Sequence, residues 1–562
     1  MAVLLIGAGR GEATCGILYL AGYLRRNGIE AYVRLYDDDE SEEDAARSLQ
    51  ALLSHLKPTL VGISFKWFNH MSRGLMLARL IRAIDPEIRI AVGGNSASYY
   101  WRELSAADCI DEIVLGDGEL PLLALCRGDK DPPNVVTRRK GKPHRLPLKY
   151  VQSIESTDVY YSGFDDVFLS GLDRSSFSGW IQPGKGCSEN CLYCGGTRGM
   201  EQASFGRPTS FLRPVESVRK DHQEIAARTW QLRYDFAGGS ADFLGGAWSS
   251  FDLKRHSATY FLWGVPPPSL IDALAATFER VYLVLDVGCF AESQRLELMK
   301  RGLLKPCPTN AQLYPAVEAC LAHRNLKLEV CGIAGLPLSS EAALKEEPKV
   351  VERLLDLGCD VGSQRLESQP GALVTQHADR FGMISDANTF AGFVDWFEQR
   401  DHQTHGDFPM VRYRDQKLEA AVQRAADRIH ELAQSRRPKQ KALTHKSKLV
   451  AKLGQRFSST LSEWLGPHLV PKTLAKTKVE VVRSIDGMGL GCAPALGERQ
   501  LPQGRVERGD GARAILAVLD AFAQPVAIER ALSALRSKKI EQGLAQETVE
   551  HLVEGGFLAR PE

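Results

Sequence analysis

Short apolar runs that end in glycine recur through the first 120 residues, and this alternation restricts the fold more than any other feature. Residues 3–6 run into Gly7, Gly9 and Gly11. Residues 60–64 read Leu-Val-Gly-Ile-Ser, residues 88–92 end at Gly93-Gly94, and residues 113–115 run into Gly116-Asp117-Gly118-Glu119. Residues 31–35 are another such run. Between them lie stretches of helical periodicity, as in Ile17, Leu18, Leu20, Ala21 and Leu24. Short strands that are apolar throughout, separated by amphipathic helices, predict a parallel sheet with helices on both faces. Such a sheet binds its ligands at the carboxyl ends of the strands, where these glycines gather. The pattern predicts a doubly wound, Rossmann-like α/β domain over residues 1–130.

A linker is expected over residues 131–177, where prolines and basic residues replace periodicity. A second α/β series occupies 178–405. Its strand candidates are 180–182, 232–237, 281–285, 327–333 and 361–366. Helical patterns fall at 271–280, 291–301 and 343–357, the last interrupted by Pro348. Repeats of about 40 residues suit a full or partial (β/α) barrel. Residues 406–510 read as a helical and basic connecting region, with an amphipathic helix at 417–435. Residues 511–562 read as a small helical, winged-helix-like appendage.

Lys+Arg total 70 and Asp+Glu 69, a net charge of +1, which excludes a generally polycationic nucleic-acid binder. The stretch 436–452 is locally basic, with Arg436, Arg437, Lys439, Lys441, Lys446, Lys448 and Lys452 and no acid. It has no interleaved aromatics for base stacking, so no nucleic-acid partner is expected. A hydrophobic fraction of 44% with 25% charged residues excludes wholesale disorder. No apolar run reaches the ~18 residues of a membrane span. The N-terminal apolar run lacks a basic flank and is too short for a signal peptide. A cytoplasmic protein with no membrane partner is expected.

Twelve cysteines are present. Cys15, Cys109, Cys126, Cys289, Cys307, Cys320, Cys331, Cys359 and Cys492 are scattered and read as reduced, mostly buried thiols. Cys187, Cys191 and Cys194 share one short loop after a strand, spaced C-x3-C-x2-C. Three thiolates on one loop can hold three corners of an iron–sulfur cube and leave one iron open. Zinc is the competing metal, but it takes four ligands and usually a second close pair, which no other cysteines supply.

With Tyr193 before its last cysteine, this loop resembles the C-x3-C-x-aromatic-C motif of the radical S-adenosylmethionine (SAM) enzymes. The resemblance implies a 4Fe–4S cluster whose open iron chelates SAM. Phe236-Ala-Gly238-Gly239-Ser240-Ala-Asp242 resembles the family's glycine motif for the SAM amino group, although it departs from the usual Gly-Gly-Glu. Residues 330–337, with Ile333 and Gly335, resemble the strand and turn that pack on the adenine. Arg365-Leu-Glu367-Ser-Gln-Pro370-Gly371 and Arg380-Phe-Gly382-Met are similar to a late-barrel segment of the cobalamin-binding branch.

The first domain resembles the cobalamin domain of that branch. Gly9, Ser64, Lys66, Gly93, Gly94, Asn95, Gly116, Gly118 and Glu119 are then its cobalamin residues. No Asp-x-His-x-x-Gly motif is present, so no histidine below cobalt is expected. Lys66, Trp67 and Phe68 are better placed to cover that face, and His70 is the one histidine near it.

The resemblance implies a cobalamin-dependent radical SAM methyltransferase, carrying a methyl group to a carbon of a small-molecule or peptide precursor. An electron donor such as flavodoxin or ferredoxin is implied as a partner. The alternatives are non-radical C-methylation of tryptophan or a related indole, a non-methylating cobalamin/SAM radical reaction, and a peptide- or nucleic-acid-binding module with a structural cluster. Trp248, Tyr260, Phe261, Trp263 and Tyr314 are candidates for an apolar substrate pocket. Glu367 is a candidate base or a partner of Arg365. Cys307, Cys331 and Cys359 receive no role, and no catalytic residue is assigned.

Overall fold

The computed structural model describes residues 2–8, 15–36, 40–66, 70–139, 142–148, 159–164, 178–208, 210–226, 228–229, 231–235, 244–367, 369–400 and 410–436. The basic stretch beyond Arg436 and the appendage at 511–562 lie outside these residues. Among the described residues no helix is long and apolar enough to cross a membrane.

The first sheet has seven strands in the order β2-β1-β3-β4-β5-β6-β7. β1 (Ala2–Gly7), β2 (Glu30–Leu35), β3 (Leu60–Ser64), β4 (Arg89–Gly93) and β5 (Glu112–Val114) are parallel. Their register aligns Gly7 with Ser64, Ser64 with Gly93, and Gly93 with Val114. The carboxyl ends therefore form one straight edge, as the glycine pattern predicts.

β6 (Val135–Arg139) and β7 (Lys142–Arg145) add an antiparallel hairpin beyond β5. These residues fall in the stretch read as a linker. The β-branched run Val135-Val136-Thr137 is the local signal for the strand, and Val135 and Val136 are buried. Residues 159–164, also in that stretch, pack on helix Cys15–Arg26. Tyr161 meets Tyr19 edge-on at 5.6 Å, and Arg25 donates to the Ser162 carbonyl at 2.7 Å.

The second sheet has six strands in the order β15-β14-β13-β12-β11-β8, all parallel. β8 (Gly179–Ile181), β11 (Gln231–Asp235), β12 (Ser257–Trp263), β13 (Arg280–Asp286), β14 (Leu326–Ala334) and β15 (Asp360–Arg365) follow chain order. This is a partial (β/α) barrel. β12 was not among the strand candidates. Its alternation of buried and half-exposed residues belongs to a strand whose two faces pack differently. Helix Glu341–Leu357 runs through Pro348, sacrificing one backbone bond while Val350, Val351 and Leu354 stay buried. β9 (Gly184–Lys185) pairs antiparallel with β10 (Phe211–Leu212) beside the cysteine loop.

β16 (Met383–Ser385) and β17 (Val411–Tyr413) form a further antiparallel pair. Helix Gln416–Arg436 then packs on helix Glu341–Leu357 and β15. The Tyr413 hydroxyl donates to the Leu336 carbonyl at 2.6 Å, and Arg365 pairs with Glu419. Residues 410–436, assigned from sequence to a connecting region, thus pack against the last helix and strand of the partial barrel.

Candidate functional site

A cavity of about 540 Å³ lies between the carboxyl ends of the two sheets. Ser64, Lys66, Gly93, Gly94, Asn95, Gly116, Gly118 and Glu119 wall one side. Cys187, Cys191, Tyr193 and Cys194 wall the other. From sequence, the first set is assigned to cobalamin, Cys187, Cys191 and Cys194 to the iron–sulfur cluster, and Tyr193 to SAM. Gly9, Gly238, Gly239, Ser240 and Asp242, with Trp67 and Phe68, lie outside the described residues. Ile333 and Gly335 are not part of this wall. Gly335 faces helix Gln416–Arg436, where an added Cβ would come within 3.1 Å of Val422.

The first-sheet wall is shaped by backbone. Gly94 has φ +107°, and a Cβ there would meet the Lys66 backbone at 2.7 Å. Only glycine meets both conditions. Ser98 joins two neighbouring turns: its hydroxyl donates to the Gly94 carbonyl at 2.8 Å and accepts from the Gly116 amide at 2.9 Å. Gly16 also borders the cavity, with nothing within 4 Å of where its Cβ would stand. Glycine backbone at these turns leaves room for a large planar ring to approach, between apolar side chains such as Leu5, Ile17 and Leu122.

On the opposite wall each cysteine sulfur accepts a backbone amide. Glu189 donates to Cys187 at 3.4 Å, Lys305 to Cys191 at 3.3 Å, and Gly196 to Cys194 at 3.3 Å. The loop is tied to its surroundings by Leu192 N–H to the Leu303 carbonyl, 2.9 Å, and Gly195 N–H to Gln369 Oε1, 2.8 Å. The Gln369-Pro370-Gly371 segment picked out in the sequence thus supports the cysteine loop. Burial pushes the Cys187 thiol up to about 11 and the Cys194 thiol up to about 12. Burial also raises Cys191, where the pull of the Lys305 ammonium exceeds the push of Asp286. Metal coordination reverses such shifts by deprotonating the thiol outright. Among the described residues no three His, Cys, Asp or Glu side chains gather around one point for a single ion. A cube instead takes each cysteine at a separate iron. The three amide donors suit thiolates bound in that way.

Five charged residues join the two walls. Lys185 lies 2.9 Å from Glu119 and 3.4 Å from Asp117. Arg207 holds both Asp117 oxygens at 2.9 Å and also pairs with Glu201. Burial disfavours the charges of Lys185, Asp117 and Glu201. The Asp117 and Glu119 carboxylates outweigh it at Lys185 and keep that ammonium's pKa above its ordinary value. Lys185 and Arg207 likewise hold Asp117 below the usual carboxylate range. Burial wins at Glu201, which is pushed up to about 7. Glu119, assigned to cobalamin from sequence, borders the cavity and holds Lys185 with its carboxylate.

Lys66 sits 4.2 Å over the Trp180 ring. Lys305 lies 2.5 Å from Asp286 and 4.7 Å over the Trp263 ring, and all three border the cavity. Lys185, Arg207, Asp286 and Lys305 were not found from sequence, because no local pattern marks a charge whose partner is distant in the chain.

Of the candidate substrate aromatics, Trp263 borders the cavity. Trp248 and Tyr260 are buried with Tyr234 and Phe278 and belong to the core. Phe261 stacks under Arg233 at 4.0 Å, and Tyr314 lies on helix Asn310–Leu321 away from the wall. Arg365 pairs with Glu419. His70 stands at the N-terminal end of helix Met71–Ile84 without a side-chain capping bond, is 4% exposed, and is lowered to about 4 by burial and then by Lys66, so it is neutral. Cys307 and Cys359 are buried and Cys331 is half-buried on β14.

Residues 2–126 match the family model described as B12 binding domain. No curated protein matches the sequence significantly. Two solved structures of the radical S-adenosylmethionine methyltransferase TsrM from Kitasatospora setae are similar in fold. One holds tryptophan substrate and the SAM analog aza-SAM, the other cobalamin and a 4Fe–4S cluster. Each is 16% identical with a TM-score of 0.56, covering 77% of this chain and 89% or 90% of its own.

Proposed function

We propose that this protein is a cobalamin-dependent radical SAM C-methyltransferase acting on a small-molecule or peptide substrate in the cytoplasm. One observation carries the reading. A single cavity has the glycine turns of a B12-binding domain on one side and three amide-supported cysteines on the other. The fold shared with TsrM supports the same reading.

When bound, the cofactors supply a methyl group on cobalamin and reductive cleavage of SAM at the iron–sulfur cluster. The chain's own residues bind, orient and exclude water. Cys187, Cys191 and Cys194 would ligate three irons. Gly93, Gly94 and Gly116 would let the corrin approach the backbone. The Lys185–Asp117–Arg207 network fixes the spacing of the two walls, and Trp180 and Trp263 dry the space between them. A small electron-carrying protein of the flavodoxin or ferredoxin type completes the system.

The test replaces all three cysteines with alanine in the full chain. After anaerobic reconstitution the variant is expected to lose its iron and its SAM cleavage while retaining cobalamin. A full iron load in the variant contradicts the assignment.

A further inference from the structure

Lys305 is only 2% exposed, yet it carries an ammonium. Its backbone N–H already donates to the Cys191 sulfur at 3.3 Å, and Leu303 accepts from Leu192 at 2.9 Å. The main chain therefore pins this loop to the cysteines without help from the side chain. Burying an ammonium is costly, and an apolar residue of similar volume often serves packing at least as well. The charge therefore calls for a reason beyond packing. Its geometry supplies one. The ammonium has the Asp286 carboxylate at 2.5 Å and the Trp263 ring at 4.7 Å, beside the cavity that the three cysteines share.

We infer that Lys305 and Asp286 are positioning residues that set the reduction potential of the cluster on Cys187, Cys191 and Cys194, an inference that rests on the proposed reading of that loop. Reduction adds one electron to the cluster. A nearby fixed cation favours the reduced form and a nearby anion opposes it; the Lys305 ammonium is buried and little screened by water, while Asp286 is partly exposed and acts from close range. Net charge around a cluster, hydrogen bonds to its sulfurs and its exposure are the levers a protein has on its potential. Lys305 works two of them, the charge through its side chain and the hydrogen bond through its main chain.

The test is an EPR-monitored redox titration of reconstituted full-length protein. Lys305→Met is expected to lower the reduced-to-oxidised ratio about tenfold at fixed potential, about 59 mV for a one-electron couple. Asp286→Asn is expected to shift it by a similar factor in the opposite direction. Lys305→Arg keeps the charge and is expected to stay within about threefold of the parent, less than 59 mV. Opposite shifts separate an electrostatic role from a structural one, because a loosened site would move both variants the same way. Unchanged potentials, or shifts of the same sign, overturn the inference. If Lys305→Met takes up no iron, Asp286→Asn decides: a higher potential supports the inference, and an equal or lower one overturns it. A parent protein that takes up no cluster defeats the reading of the cysteine loop itself. A loaded parent with unshifted variants defeats only this inference.

Discussion

Gly94 and Gly16 border the same cavity but answer differently to substitution. A side chain at Gly94 would break its own turn against Lys66, so a large residue there tests the backbone before it tests any ligand. His222 shows a similar dependence on surroundings. It is 2% exposed, its Nε2 lies 2.7 Å from the Tyr234 hydroxyl, and burial lowers its pKa to about 4. Unfolded, it titrates near 6.5. Between those values the unfolded chain binds the proton more readily, so this contribution is complete above about pH 6.5 and is lost as the pH falls. His222→Phe is expected to reduce the stability difference between pH 7 and pH 5 by about 2 kcal/mol, measured by urea denaturation at both values. An unchanged difference would contradict the neutral buried state. At this scale the cysteine trio was legible because its ligands are neighbours in sequence. The Lys185–Glu119 pair, separated by 66 residues, and the Lys305–Asp286 pair, separated by 19, were not.

Periodicity made the parallel strands and most helices readable, since each burial pattern repeats within a few residues. Strands governed by distant pairing escaped. The β6–β7 hairpin is short and partly charged, and it becomes a strand pair only because β5 offers an open edge. β12 lies among aromatics whose partners are on other elements. Close packing of the segment at 159–164 on helix Cys15–Arg26 was equally hidden, and Gly22 and Gly163 permit it. A Cβ at Gly22 would land against the Tyr160 carbonyl, inside any permitted contact. Ala in a helix interior gains up to about 1 kcal/mol over Gly. Overpacking against backbone costs about 1–3 kcal/mol and outweighs that gain. Gly22→Ala is therefore expected to lower unfolding stability in chemical denaturation, and a stabilised variant would show that the segment does not pack there.

For the whole molecule, the glycine turns and the cysteine loop were each legible, but their shared cavity was not. It depends on how the two sheets face each other across the Lys185, Asp117, Glu119, Arg207 and Glu201 network. The functional account stands on that convergence, so the decisive measurement must report both cofactors in the same sample. Full-length protein is reconstituted anaerobically with iron, sulfide and cobalamin, desalted, and followed by absorbance and EPR with and without SAM. The account predicts stoichiometric cobalamin together with a 4Fe–4S signal that SAM perturbs. Protein that retains no cobalamin, or a cluster signal indifferent to SAM, would contradict it.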